Sequence, residues 1–313
     1  MSGFGQGSRN QLTYIEEVTA GTTPGTPSML AIGFNTHSID LTKTIIETSE
    51  IRSDRQVVTS RHGNKQAGGD LAVEFKSDAY DAFLESVFFG AFTTGTGGDT
   101  GFDVLKNGIT RKTFTFEDGQ LDLATPQFQI FTGMEANSME LSVAPDAIVT
   151  SAFNFVGMGA DALTGTTLDA SPDAVSVNEP FDSFTGAIEI DGSPVSTITA
   201  LNINISNDLS PDFVIGSDSA PCVSFGMSKV TGSITAFFED ATLINRFVNE
   251  TETAIRITLG TGVGSYEFNM PRCKINTATD GVDNPKSRTL TLDFEAIYNT
   301  SDVASIICRK ATA

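Results

Sequence analysis

Apolar and polar residues alternate through most of this chain. Leu201, Ile203 and Ile205 alternate with Asn202, Asn204 and Ser206; Leu290, Leu292 and Phe294 alternate with Thr289, Thr291, Asp293 and Glu295. A period of two puts one set on a dry face and the other in water. Phenylalanines at alternate positions, Phe114 with Phe116 and Phe153 with Phe155, suit the same half-buried strands. Strands are predicted over 36–46, 111–118, 127–143, 148–157, 198–207, 254–260, 264–277 and 287–299. Asp191-Gly192-Ser193-Pro194, set between the apolar runs 186–190 and 195–205, is a hairpin signal. Two stretches change to helical spacing. Tyr80, Phe83, Leu84, Val87 and Phe88 form one apolar stripe, and Leu243, Phe247 and Val248 repeat it less completely. Ser77 and Asp240 precede them as N-cap residues. The chain is therefore mainly β, and each short helix is expected to cover the apolar face of its own sheet.

The pattern occurs twice. At an offset of 163, Gly63 falls on Gly226, Gly69 on Gly232, Leu71 on Ile234, Phe75 on Phe238, Tyr80 on Leu243 and Leu84 on Phe247. Beyond the helices the offset becomes 141, so that Phe114 meets Ile255 and Phe153 meets Phe294. The difference is a 22-residue insertion in the first unit, placed at 90–108 and carrying Gly90, Gly95, Gly97, Gly98, Gly101 and Gly108. The division that follows is an N-terminal arm (1–33), a first unit (34–159), a polar linker (160–184) and a second unit (185–313). The arm, rich in Gly, Thr, Ser and Pro with one apolar stretch at 12–18, is expected to order only against a neighbour, the alternative being a disordered tail. The linker is expected to run over a surface.

Composition narrows the chemistry. A length of 313 residues allows two domain-sized cores. A net charge of −20, from 39 acids against 19 bases, argues against phosphate binding, which needs Lys and Arg to release counterions. Cys222, Cys273 and Cys308 form no CxxC pair, so neither a zinc site nor a disulfide framework is indicated, and synthesis in a reducing cytoplasm fits. No apolar run is long enough to span a bilayer, and the start lacks the basic and apolar segments of a secretory signal. His37 and His62, the two histidines, lie outside any HExxH or triad-like context and are expected to face solvent. The glycines at 95–101 follow no buried strand and open no helix, so they do not form a phosphate loop. Asp208, Asp212, Asp218, Asp280 and Asp283 read as solvated acidic loops rather than a calcium site. No catalytic, metal or cofactor site is predicted, and the protein is not expected to be an enzyme. Arg52, Arg55, Arg61 and Lys65 form the densest basic stretch and are expected to pair with acids on a neighbouring subunit.

The run Ser49-Glu-Ile-Arg-Ser-Asp-Arg-Gln-Val57, leading to Gly63 and Gly69-Asp-Leu-Ala-Val-Glu-Phe75, resembles the major tail tube proteins of long-tailed bacteriophages. So do Tyr14-Ile-Glu-Glu-Val-Thr19 with the following Gly-Thr-Thr-Pro-Gly-Thr-Pro, Val230-Thr-Gly-Ser-Ile-Thr-Ala-Phe-Phe-Glu-Asp240, and Tyr266-Glu-Phe-Asn-Met-Pro271. The resemblance implies a β-sandwich with one flanking helix per unit, and one sheet of each unit joined to its neighbours' in a ring-closed barrel. With two units per chain it implies a trimer of pseudo-sixfold symmetry, the alternative being a hexamer. It further implies stacking of rings into a virion tail tube, with duplex DNA and the tape-measure protein in the lumen without tight binding. Tail tip and terminator proteins would meet its ends, and no membrane is involved. The 90–108 insertion, through Gly95, Gly97, Gly98 and Gly101, and the N-terminal arm are the candidate ring-to-ring contacts. A capsid-decorating or host-glycan-binding β-sandwich is the alternative reading, and the absence of Trp counts mildly against it.

Overall fold

The computed structural model describes residues 4–279 and 287–312. The first half contains strands β1 (Asn10–Glu16), β2 (Leu30–Ala31), β3 (Thr36–His37), β4 (Asp40–Glu47) and β5 (Ser60–Glu74), then helix α1 (Asp81–Phe88). It continues with β6 (Thr93–Thr94), β7 (Phe102–Lys106), β8 (Phe114–Gln120), β9 (Gln127–Val143), β10 (Thr150–Gly157) and β11 (Gly159–Ala160). The second half contains β12 (Ala187–Ile190), β13 (Ser193–Pro194), β14 (Ile198–Ser206), β15 (Ser210–Asp212), β16 (Cys222–Ser224) and β17 (Lys229–Phe237). Helix α2 (Thr242–Val248) follows, then β18 (Thr253–Leu259), β19 (Tyr266–Thr279), β20 (Thr289–Ala296) and β21 (Ile307–Ala311).

The long strands organise two layers. One is a continuous antiparallel sheet in the order β4–β5–β10–β9–β14–β17–β20–β19. The other lies across its dry side in two parts. In the first, β2, β1, β8 and the N-terminal half of β9 pair in that order, with β11 on the far side of β9. In the second, β13, β12, β18, the N-terminal half of β19 and β21 pair in order, and β7 and β6 extend it. β9 thus belongs to both layers: residues up to Met134 pair with β8, and residues from Glu135 pair with β10. Gly133, at φ +65°, sits at this change of layer. Its N–H donates to the buried carboxylate of Glu17 at 2.9 Å. Glu17 also accepts from Gly21 N and the hydroxyls of Thr113 and Thr115. Such a fully bonded buried acid is tolerated because each lone-pair direction is used.

The core between the layers is aromatic in the first half. Phe83 of α1 lies 4.7–5.9 Å, centroid to centroid, from Tyr14, Phe114, Phe116, Phe153 and Phe155, mostly edge to face. The same cluster continues through Leu201, Ile203 and Ile205 to Ile255, Ile257 and Phe268. Tyr266 and Lys310 tie the halves at the start of α1: the Tyr266 hydroxyl donates to Asp81, and Lys310 pairs with Asp78 and Asp81. Burial, with Asp81 beside it, pushes the Tyr266 phenol up from its ordinary value. α2 is shallower. Its Leu243, Ile244 and Phe247 are partly buried against Ile275, Leu290 and Leu292.

Several expectations are corrected. Residues 10–31 are not a separate arm: β1 pairs with β8 over seven residues, and Leu12 and Tyr14 are core. Ser77 does not cap α1, which begins four residues later after Tyr80; Asp240 accepts from Thr242 N at 2.7 Å and sits one residue before the α2 cap, Ala241. Asp81 and Thr242 open the helices, Phe89 and Glu250 follow them at φ +51°, and Leu71 and Gly232 face Phe153 and Phe294. Asp81 and Thr242, Phe89 and Glu250, and Leu71 and Gly232 are each 161 apart, two short of the expected glycine-on-glycine offset of 163, and Phe153 and Phe294 are 141 apart. Two residues is one strand period, which leaves the faces unchanged. The glycines serve different neighbours: a Cβ at Gly69 would meet Ser38 O at 2.3 Å, one at Gly232 the Phe294 ring at 2.4 Å. The 186–205 hairpin is short, for β13 is only two residues and β14 leaves to pair with β9 and β17. Its Asp191 and Gly192 both have positive φ, as a type I′ turn requires.

Residues 160–184 lie along the first half. Glu117 accepts from Thr167 Oγ1 and Leu168 N, Asp173 N donates to Met29 O, and Phe181 N donates to Phe75 O.

Because Phe83 is fully buried between the layers, Phe83→Ala should lower stability by about 3–5 kcal/mol. Urea unfolding of the two proteins measures this; a loss below about 1 kcal/mol would show that the helix does not anchor the sandwich.

Candidate assembly edges and channel face

The eight-stranded sheet has two ends. Among the described residues, the outer sides of β4 and of the C-terminal part of β19 pair with no strand. Adjacent strands alternate in direction, so β4 and β19 run opposite ways, as two neighbours in an antiparallel sheet must. β4 is exposed along most of its length, with Ile45 at 65% and Ile46 at 61%. A long apolar edge is a template for another strand. In the middle of the sheet the same kind of edge is satisfied. β9 pairs with β14 over six positions, from Val143 opposite Leu201 to Ser138 opposite Ser206.

The sheet's second face is wet. It carries Asp70, Glu74, Asn154, Glu140, Asn202, Asn204, Ser233, Thr235, Thr291, Asp293 and Glu295, opposite in parity to the buried Leu71, Val73, Phe153, Leu141, Ile203, Ile234 and Leu292. Asn154 Nδ2 donates to Asp70 Oδ1 at 2.7 Å, and the hydroxyls of Thr235 and Thr291 lie 3.2 Å apart. Lys229 and Lys274 are the bases of this face, and Lys229 stands 3.9 Å from Glu295. The face is thus acidic and neutral-polar.

The four bases singled out in the sequence occupy one long hairpin, β4–β5, but do not act alike. Arg52 pairs with Asp54 at 2.9 Å in the exposed loop between the strands. Arg55 lies in the same loop at φ +58°, and Arg61 is exposed on β5. Lys65 is directed inward along the chain: it bonds Asp218 at 2.6 Å, and its N–H donates to Asp218 O. It faces Lys43 across the ladder, so a neighbouring acid relieves a like-charge pair.

Asp218 belongs to segment 207–228, which joins β14 to β17 and folds back over the first half. Asn207 Nδ2 donates to Val87 O, Leu209 N to Asn137 Oδ1, and Leu209 and Val223 pack on Phe89 and Val156. Beneath it lies the ion pair of Arg111 with Glu135, whose Nε–Oε1 distance is 2.8 Å. Arg111 also donates to Val223 O and stacks on Phe225. The hydrogen bonds that Arg111 donates to Glu135 hold its guanidinium above its ordinary pKa. Sequence reading missed this pair. It also missed its counterpart, Glu252 with Arg272, at 2.6 Å. Arg272 holds the Glu252 carboxyl below the usual range, and Lys274 does the same for Glu250.

The glycine insertion is not structureless. β6 and β7 form a hairpin within it, and β7 pairs with β21 from Phe102 opposite Ala311 to Lys106 opposite Ile307. Gly95, Gly97, Gly98 and Gly101 make its tip. Gly97 and Gly101 have positive φ, and a Cβ at Gly95 would meet Asp99 O at 2.2 Å. Asp99 at the tip pairs with Arg309 at 2.7 Å.

Of the remaining candidates, Cys273 and Cys308 are buried and Cys222 is exposed. Burial pushes the Cys273 thiol up to about 12 and raises Cys308 as well. His37 does not face solvent: it is packed beside Phe34, with Nε2 3.0 Å from Asn10 Oδ1. His62 is exposed on β5. Asp208, Asp212 and Asp218 join no cluster of metal-binding geometry among the described residues, and Asp280 and Asp283 lie outside those residues. No helix of the described residues is long and apolar enough to cross a membrane.

Comparison with curated proteins finds no match. A family model described as phage tail tube protein matches residues 7–296. That span takes in both halves of the eight-stranded sheet, the linker and both ion pairs, and on it the chain belongs to the phage tail tube proteins.

Proposed function

We propose that this protein is the subunit of a tube built from closed rings. The observation that carries the reading is the eight-stranded sheet with one satisfied internal junction and two exposed, oppositely directed edges. The order β4–β5–β10–β9 in the first half matches β14–β17–β20–β19 in the second. In this reading the chain is a duplicated tube domain, 34–159 with β1 added, and 185–313, joined by the linker 160–184. β19 of one copy pairs with β4 of the next as β9 pairs with β14 inside the chain. Three copies give about 24 strands; at about 4.8 Å spacing and about 40° tilt the barrel is roughly 50 Å across. The wet face lines the channel, so DNA passes toward the host without sticking, because like charges repel phosphates. The tape-measure protein occupies the lumen during assembly, and tail tip and terminator proteins meet its ends. The protein is made in the bacterial cytoplasm and works in the virion tail as a structural element, not as an enzyme. The 93–106 hairpin, with Gly95, Gly97, Gly98 and Gly101 at its tip, reaches the adjacent ring.

Ile45→Asp combined with Ile46→Asp tests ring closure, since both side chains are exposed and the fold does not need them. Circular dichroism should be unchanged, while electron microscopy should show hollow trimeric rings and tubes for the parent and monomers for the variant. Normal tubes from the variant would rule out β4 as the joining edge, and a parent that stays monomeric would end the tube reading.

Deleting 95–101 should leave the chain folded, because the core lies elsewhere and the Asp99–Arg309 pair is partly exposed. Rings should form and fail to stack. Tubes of ordinary length from this variant would remove the loop from the ring-to-ring contact.

The channel's charge is tested with Glu140→Lys, on the wet face of β9. Parent tubes should not retain duplex DNA at about 50 mM salt, whereas the variant should bind it there and release it near 200 mM. Strong low-salt binding by parent tubes would overturn the sliding mechanism.

A further inference from the structure

The segments joining the first two strands of each four-strand group have opposite fates in this chain. In the second half, 207–228 folds back across the first half and is held by Phe89, Arg111, Asn137 and Lys65. In the first half the joining loop is 48–59, with two bases, Arg52 and Arg55, and two acids, Glu50 and Asp54. With the flanking stretches of β4 and β5 it makes the extended hairpin 41–67, in which Ile45, Ile46, Ile51, Val57 and Val58 are all more than half exposed. Segment 207–228 thus has the first half to lie on, whereas the hairpin 41–67 projects from the sheet edge and meets that segment at Lys65.

One ion pair is reversed between the two surfaces. Phe89 and Glu250 each follow their helix at φ +51°. Arg111 stands three residues before β8, beyond the β6–β7 hairpin, and Glu252 one residue before β18; the two are 141 apart. Their partners match as well: Glu135 precedes Ala136, which faces Phe155, and Arg272 precedes Cys273, which faces Ala296 at the same level of the ladder. The pair Arg111–Glu135 therefore becomes Glu252–Arg272 with signs exchanged. The covering segments change sign with them. Segment 207–228 holds three acids, Asp208, Asp212 and Asp218, and no base; 41–67 holds five bases, Lys43, Arg52, Arg55, Arg61 and Lys65, against three acids. Exposure agrees. Beneath 207–228 the Arg111 and Glu135 side chains are 32% and 0% exposed, whereas Glu252 and Arg272 are 49% and 41% exposed.

We infer that hairpin 41–67 of one copy lies over the Glu250–Glu252 surface of a second copy, its basic loop on those acids, as a charge-reversed counterpart of the contact that 207–228 makes within the chain. The inference rests on the ring reading and adds to it a named acceptor. Glu250 and Glu252 already bond Lys274 and Arg272 of their own chain, so Arg52 and Arg55 of the second copy extend these pairs into a network between copies.

The test is a charge exchange. Arg52→Glu with Arg55→Glu, and Glu250→Arg with Glu252→Arg, should each cut the assembled fraction in sedimentation by on the order of tenfold, and their combination should restore it. Carbodiimide coupling supplies a readout independent of folding. Arg52→Lys with Arg55→Lys, assembled from mixed 14N and 15N protein, should give mixed-isotope cross-links from positions 52 or 55 to Glu250 or Glu252. Parent-like rings from both charge-reversed variants, or rings whose cross-links join these positions to other acids only, would overturn the docking while the tube reading stands. Impairment of both variants with no recovery on combination would overturn it as well. A parent chain that never forms rings would overturn both readings.

Discussion

The backbone hydrogen bonds at the ends of the eight-stranded sheet govern how the rest of this protein is read. A buried or assembled strand must satisfy its N–H and C=O groups, and water serves them only at an exposed edge. Inside the chain the problem is solved once, where β9 meets β14. At β4 and β19 it is left open, and the side chains around β4 are those of a contact: exposed isoleucines and valines with arginines among them. A sheet with an even number of alternating strands ends on opposite directions, which is the condition for joining head to tail without reversing a chain. A heterologous contact of this kind closes into a ring when the rotation per copy divides a full turn.

That sheet is held in shape by the strand that belongs to both layers. β9 crosses between them at Gly133, where positive φ and the hydrogen bond to Glu17 fix the bend. Glu17 draws its other partners from Gly21, Thr113 and Thr115, so a single carboxylate ties the end of β1 to β8 and to the crossing point. The aromatic core around Phe83 then fills the wedge between the diverging layers. Packing and polar satisfaction act on the same place, and the wet face of the sheet is thereby set at a defined angle to its edges.

Local pattern was enough to read the strands, because period-two alternation is written within each segment. The 17 residues of β9, Gln127–Val143, were bounded correctly for that reason. What depends on distant partners was illegible. β1 is a strand because β8, about a hundred residues later, lies beside it, so its Gly- and Thr-rich surroundings read as an arm. β7 is a strand because β21 receives it two hundred residues on, so its glycine-rich hairpin read as a loop. Ser77 has the chemistry of a cap, but the left-handed turn at Asp78 delays the helix to Asp81. The basic stretch was visible as composition, while the inward role of Lys65 was not, since Asp218 comes from the other half. The two reversed ion pairs left a signal that an exact repeat search passes over: unlike residues at matching places, with offsets that differ by a few residues because the strands bulge at different points.

Net charge places one more demand on such an assembly. In the proposed tube, copies carrying −20 each repel one another, and the repulsion grows as rings are added. Screening at physiological salt confines that field to about 8 Å, so distant acids cost little while groups in contact decide the outcome. Local complementarity must then be placed where copies touch, and the few bases cannot be spread evenly. Their distribution follows this rule. Five of the 19 bases lie in the one hairpin that projects from the sheet edge, and the wet face carries mostly acids, Asn, Ser and Thr beside Lys229 and Lys274. The acidity proposed to keep a channel from holding DNA and the basic hairpin proposed to draw copies together are two consequences of one uneven allocation of charge.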